Sequence, residues 1–130
     1  MMWMTVIPAV VALLQGDATL TGLLGGAYIY RNRTRKSIQI PGVYWSVVHE
    51  GLEENLAPIT VQLDVYAVSA SQSSQIEQRI FQLLHSDVDT VIGGLAMWSQ
   101  FTNRYDLHDE NEGVDHTALE YQFHPPRYNG

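Results

Sequence analysis

The stretch ITVQLDVYAVSASQSSQIEQRIFQLLH, residues 59–85, passes from one hydrophobic period to another, and that change decides the fold class. Ile59, Val61, Leu63 and Val65 alternate with Thr60, Gln62, Asp64 and Tyr66, the period of two that a strand with two unlike faces requires. The residues from Ser69 to Ser74 are rich in helix caps. Beyond them Ile76, Ile80, Leu83 and Leu84 recur at i, i+4, i+7 and i+8, one apolar stripe of an amphipathic helix from about Ser71 to His85. Gln75, Gln78, Arg79 and Gln82 form its polar side. A strand with one apolar face, followed by a helix able to cover such a face, is the unit of an α+β fold.

Upstream, residues 43–48 alternate in the same way, and the connection over residues 51–57 is short enough to make an antiparallel hairpin with the strand that opens at Ile59. Residues 27–30 read as a short strand. Before it, Val6, Val10, Leu13 and Leu14 mark a helix that Pro8 places near Ile7, because proline is tolerated in a first turn. Asp17 then caps a second short helix through Leu24, which Gly25 and Gly26 end. Downstream, Gly93 and Gly94 precede a strand over residues 95–107. An acidic turn follows over residues 108–113, then a last strand over residues 114–123 that Pro125 and Pro126 stop. The expectation is an α+β chain forming one domain, residues 1–130. Its mostly antiparallel sheet has about four to five strands, with N-terminal helices and one amphipathic helix packed on it.

Composition narrows the function. Charged residues are 16% of the 130-residue chain, below the roughly 25% of an average globular protein, which suits a surface that neighbours partly cover. There is no cysteine, so disulfides, thiolate catalysis and cysteine-ligated zinc are excluded. The apolar run over residues 1–14 lacks a basic flank and is too short for a span; it reads as a docking helix, with no membrane partner.

A net charge of −7 argues against a protein that wraps nucleic acid. The charges are segregated. Four of the seven basic residues, Arg31, Arg33, Arg35 and Lys36, fall in one loop over residues 31–39, while Asp106, Asp109, Glu110, Glu112, Asp115 and Glu120 crowd the last quarter. A basic patch and an acidic patch on one subunit allow head-to-tail joining; two solvated loops are the plain alternative. The candidate interface or lumen residues are therefore Arg31, Arg33, Arg35, Lys36, Asp109, Glu110, Glu112 and Asp115.

No catalytic centre emerges. His108, Asp109, Glu110, Asn111, Glu112, Asp115 and His116 hold metal-ligand chemistry, but counting from Asp109 puts Gly113 at loop position 5 and offers no glutamate at 12, so a hairpin turn fits better than a calcium loop. No GxSxG elbow or HExxH pair occurs, His49, His85 and His124 fall at element ends, and Gly22, Gly25 and Gly26 follow a helix where a phosphate cradle would follow a strand. Neither a catalytic residue nor a cofactor site is expected. Trp3, Trp45, Trp98 and the seven tyrosines read as packing and interface anchors.

Three segments in order, GDATLTGLLGGAYIY (residues 16–30), VQLDVYA (61–67) and NEGVDHTALEYQF (111–123), resemble the tail-completion or tail-terminator family of long-tailed bacteriophages and gene transfer agents. The basic run over residues 31–40 departs from that pattern, where the family often has a proline-rich lead. The resemblance implies a ring, usually of six subunits, that caps the tail tube at full length and joins the tail to the head. The implied partners are other copies of the chain, the tail tube protein, a neck or stopper protein, and DNA passing through the lumen. The implied location is the head–tail junction of a virion made in the host cytoplasm. Two alternatives stand beside it: another head–tail connector such as a stopper or head-completion protein, and a small dimeric α+β ligand-binding or enzymatic domain with Trp45, Trp98 and Tyr66 lining a pocket.

Overall fold

The computed structural model describes residues 3–32, 38–50, 58–107 and 114–125. In chain order its elements are α1 (Trp3–Gly16), α2 (Ala18–Leu24), β1 (Ile29–Arg31), β2 (Gly42–Glu50), β3 (Ile59–Ala67), α3 (Ala70–Leu84), β4 (Ser86–Ile92), β5 (Leu95–Leu107) and β6 (Asp115–His124). The alternation read in residues 59–66 is the burial pattern of β3 as far as Leu63, with Ile59, Val61, Leu63 and Val65 all at most 1% exposed; from Leu63 to Ala67 both faces are buried, Asp64 and Tyr66 included. Ser69 opens α3 by accepting a hydrogen bond from the Gln72 N–H, and His85 closes it, as the capping chemistry anticipates. Ile76, Ile80 and Leu84 then bury the helix stripe against the sheet.

The strands form one sheet in the order β1-β2-β3-β6-β5-β4. The chain runs up the hairpin β2–β3, crosses through α3 to the far edge, and returns by β4 and β5 to lay β6 beside β3. Gly93 and Gly94, with φ of 57° and 85°, make the two-residue connection between Ile92 and Leu95, a turn only glycine-like backbones form easily. A Cβ at Gly93 would also run into the backbone of Ala9, so this turn sits directly on α1.

Helices α1, α2 and α3 share one apolar cluster with the sheet face carrying Val43, Val61, Leu63, Leu119 and Phe123. We call this the inner face. Asp17 fastens two of the helices: its carboxylate accepts the Leu20 N–H at the start of α2 and a two-point bond from Arg79 of α3 at 2.7 and 2.9 Å. Among the described residues no single helix is long and apolar enough to cross a membrane; Val6–Gly16 and Ala18–Leu24 reach that length only together, with a bend of 73° between them.

Three features differ from the sequence expectation. Helix α1 begins at Trp3, not near Ile7, with Pro8 inside it. Packing of Val6, Ile7, Val10 and Leu14 offsets the lost hydrogen bond, a penalty of ~3 kcal/mol. The sheet has six strands and not four to five, because SDVDTVI over residues 86–92 forms β4, an edge strand whose aspartates mask the alternation. The strand β1 also lies parallel to β2, so the sheet is not wholly antiparallel.

Candidate assembly interface

The basic segment leaves the sheet at Arg31, the exposed end of β1, whose guanidinium lies 5.7 Å from the ring centroid of Trp45. The next residue is held from two sides. The Asn32 N–H donates to the Trp45 carbonyl at 2.6 Å, and Asn32 Nδ2 donates to Asp64 Oδ2 at 2.7 Å. Asp64 is 2% exposed, and a carboxylate so placed needs its lone pairs satisfied. Gln62 Nε2 supplies a bond at 3.1 Å, and His116 Nε2 lies 3.2 Å from Asp64 Oδ1.

Around this carboxylate the outer face carries a row of rings in contact. Tyr30 meets Tyr44 at 5.6 Å, Tyr44 meets Tyr66 edge-on at 5.5 Å, and Tyr66 stacks on His116 at 4.0 Å. The Tyr44 hydroxyl accepts the Gln39 N–H at 2.7 Å, so the chain is also fixed where it returns. The segment between Asn32 and Ile38 thus has both ends tied to the outer face. Arg33, Arg35 and Lys36, in its middle, lie outside the described residues.

Of the acidic candidates, Asp115 is half-buried as the first residue of β6, opposite Ala67. Asp109, Glu110 and Glu112 lie outside the described residues, as does the turn over residues 108–113. Of the described candidates, Arg31 ends β1 at one edge of the sheet and Asp115 opens β6, three strands away.

The sequence reading named Asp106 but not its place in a cluster with Glu77 and Arg104. Arg104 of β5 reaches over to α3, with Nε 2.6 Å from Glu77 Oε1 and Nη1 3.0 Å from Asp106 Oδ1. The Glu77 bond, then the Asp106 bond, hold the guanidinium well above its ordinary pKa. Ser73 donates its hydroxyl to Glu77 at 2.7 Å. Glu77 and Arg104 line a groove of about 370 Å³ between α3 and β5, walled by Phe81, Phe101, Leu119 and Tyr121. Burial, with Glu77 nearby, raises the Tyr121 phenol above its usual range, so it stays neutral.

The β5 edge beside this groove is open. Strand β4 pairs with β5 only as far as Ser99, and His85 Nδ1 accepts the next outward N–H, that of Phe101, at 3.1 Å. His85 therefore serves as an acceptor at the sheet edge. From Thr102 to Leu107 no strand lies on that side among the described residues, and every residue is exposed.

The aromatic residues considered as pocket walls do not converge. Trp45 pairs with Leu63 on the inner face, whereas Tyr66 belongs to the outer face. Trp98 stacks on His124 at 3.8 Å, eight residues along β6 from His116, roughly 27 Å from Tyr66 at strand spacing. No group of three or more metal-ligating side chains occurs among the described residues.

One sheet with helices on a single face, a clamped basic edge and an open acidic edge define a two-layer α+β subunit whose conspicuous chemistry is at its edges. The chain belongs to the family of tail completion protein gp17, whose sequence pattern matches residues 8–124. It is a structural protein of a phage-type virion tail. A chain in the virion of a native gene transfer agent particle superposes with a TM-score of 0.67 over 90% of this chain and 91% of that one, at 15% identity, a likeness of fold. No curated protein matches the sequence.

Proposed function

We propose that the protein is a tail terminator: copies join head to tail into a ring of six that caps the finished tail tube and presents a surface to the neck of the head. The family match across residues 8–124 carries this reading. The separation along the chain of the basic residues 31–36 from the acidic residues of the last quarter supports it, because a closed ring needs two different complementary patches on each subunit. Chemistry at a pocket plays no part in this role; rigidity does, and the sheet supplies it.

Depleting the protein during virion assembly tests the assignment. The expected products are filled heads without tails alongside tubes of uneven length. Tails of normal length still joined to heads would refute it.

A further inference from the structure

We infer that neighbouring copies share one sheet, the open half of β5 in one pairing antiparallel with the open half of β2 in the next. The inference rests on the ring reading above and names the surfaces that make the ring.

Both edges of the sheet are only half covered. On one side β4 pairs with β5 as far as Ser99, and Thr102 to Leu107 has no neighbour there among the described residues. On the other side β1 pairs with β2 only from Val43 to Trp45, which leaves Ser46 to Glu50 without a neighbour among the described residues. Unpaired N–H and C=O groups along a strand edge are a template for another strand.

The two open halves lie at diagonally opposite corners. Leu107 is level, through His116 and Tyr66, with Gly42 at the end that β1 covers. Glu50 is level, through Ile59 and Phe123, with Ser99 at the end that β4 covers. Each of the pairs β2–β3, β3–β6 and β6–β5 is antiparallel, so β2 and β5 run in opposite directions. A second copy in the same orientation, displaced along the strands by about half a strand, ~15 Å, therefore sets its open β2 half antiparallel to the open β5 half. Its β1 then stands end-on to β5 and its β2 end-on to β4, a lap joint with the helices on one side throughout.

The side chains agree with this joint. Val48 is 50% exposed on the β2 half, and Tyr105 and Leu107 are 41% and 40% exposed on the β5 half. Antiparallel counting from Ser46 against Leu107 sets Val48 against Tyr105, an apolar cross-strand pair. The β2 bulge between Val47 and His49 shortens the run of main-chain bonds, so this apolar contact carries part of the joint. Arg104 and Asp106, the charges of the β5 half, already meet each other at 3.0 Å and do not bar a neighbour.

A second copy is the occupant that satisfies both edges at once. Pairing β5 with β5 about a two-fold axis would leave both β2 halves open, whereas the lap joint repeated around a ring leaves none. Its stagger tilts the strands against the ring axis, as closing a sheet requires. A strand of the tube protein is the competing occupant.

The chain has no cysteine, so introduced thiols report the joint directly. Val48→Cys combined in one chain with Asn103→Cys, Tyr105→Cys or Leu107→Cys covers the central register and its neighbours. At least one combination should oxidise to a covalent ladder that stops at ring size, while the single variants stay monomeric on denaturing gels. In the unaltered protein, amide exchange over residues 46–50 and 102–107 should slow together, at least ~10-fold, on assembly. Rings that give no ladder and exchange at the monomer rate in both segments would overturn the proposal while leaving the ring reading intact. Covalent dimers from Tyr105→Cys alone would show two-fold pairing and overturn it. Slowing of residues 102–107 only when tail tubes are added would assign that edge to the tube protein and overturn it too. A parent protein that never self-associates, alone or on tubes, would remove both readings.

Discussion

Asp64 and Glu77 are both shielded carboxylates held by several donors, yet they occupy regions of opposite character. Asp64 sits on the outer face under Asn32, Gln62 and His116, 2% exposed, with neutral donors from β3 and from the β1 exit. Glu77 meets an arginine that is itself 43% exposed and shares that arginine with Asp106 at the protein surface. The first arrangement fixes where the basic segment starts and has nothing to give to a neighbour. The second is a charge cluster at the rim. The buried carboxylate orders the chain around it, and the rim cluster meets solvent.

The largest expected effect follows from breaking the first region. Asp64→Ala removes the shared acceptor of Asn32 and Gln62 in a buried site and should cost ~3 kcal/mol in urea unfolding. A cost under ~1 kcal/mol would mean that water satisfies these groups as well as Asp64 does. A gain of ~1 kcal/mol is expected from Thr117→Val, since the Thr117 hydroxyl is buried without a hydrogen-bond partner among the described residues. Arg104→Ala should cost only ~0.5 kcal/mol of stability, as a rim ion pair does. A loss as large as that of Asp64→Ala would make Arg104 a structural residue and blur the contrast.

A pH effect is the smallest. The Arg79 hydrogen bond, opposed by burial and helped by the Leu20 N–H, lowers the Asp17 pKa. A depressed carboxylate contributes stability that is complete above its unfolded value of about 3.9 and is lost as pH falls through the folded value. Asp17→Asn should therefore be less stable than the parent at pH 7, with the gap closing below about pH 4. A gap that stays constant into acid would assign Asp17 a capping role without a charge contribution.

The sequence made the central β3–α3 unit legible because two periods, each several repeats long, meet at a run of cap residues. Strand β5 was read with its full bounds, residues 95–107, for a similar reason: two glycines mark its start. Strand β4 was missed because an edge strand buries little, and Asp87 and Asp89 interrupt its valines. Strand β1, three residues long, revealed its existence but not its parallel pairing, which depends on a neighbour met later in the chain.

The groove was hidden by a single irregularity. In an unbroken strand Arg104 would lie with Trp98 and Gln100 on the outer face; a bulge between Phe101 and Asn103 shifts it to the inner face, toward Glu77. Period counting has no access to a bulge. Segregation of charge, by contrast, is a property of composition along the chain, and most of the residues that carry it lie outside the described residues.

The most direct test of the account is the mass of the purified protein in solution, by light scattering across concentration and salt, with tail tubes added in a parallel series. The account predicts a closed ring, formed alone or on tubes, whose association weakens as salt rises because opposite charges join its subunits. A tight two-fold dimer that neither grows nor binds tubes would contradict it.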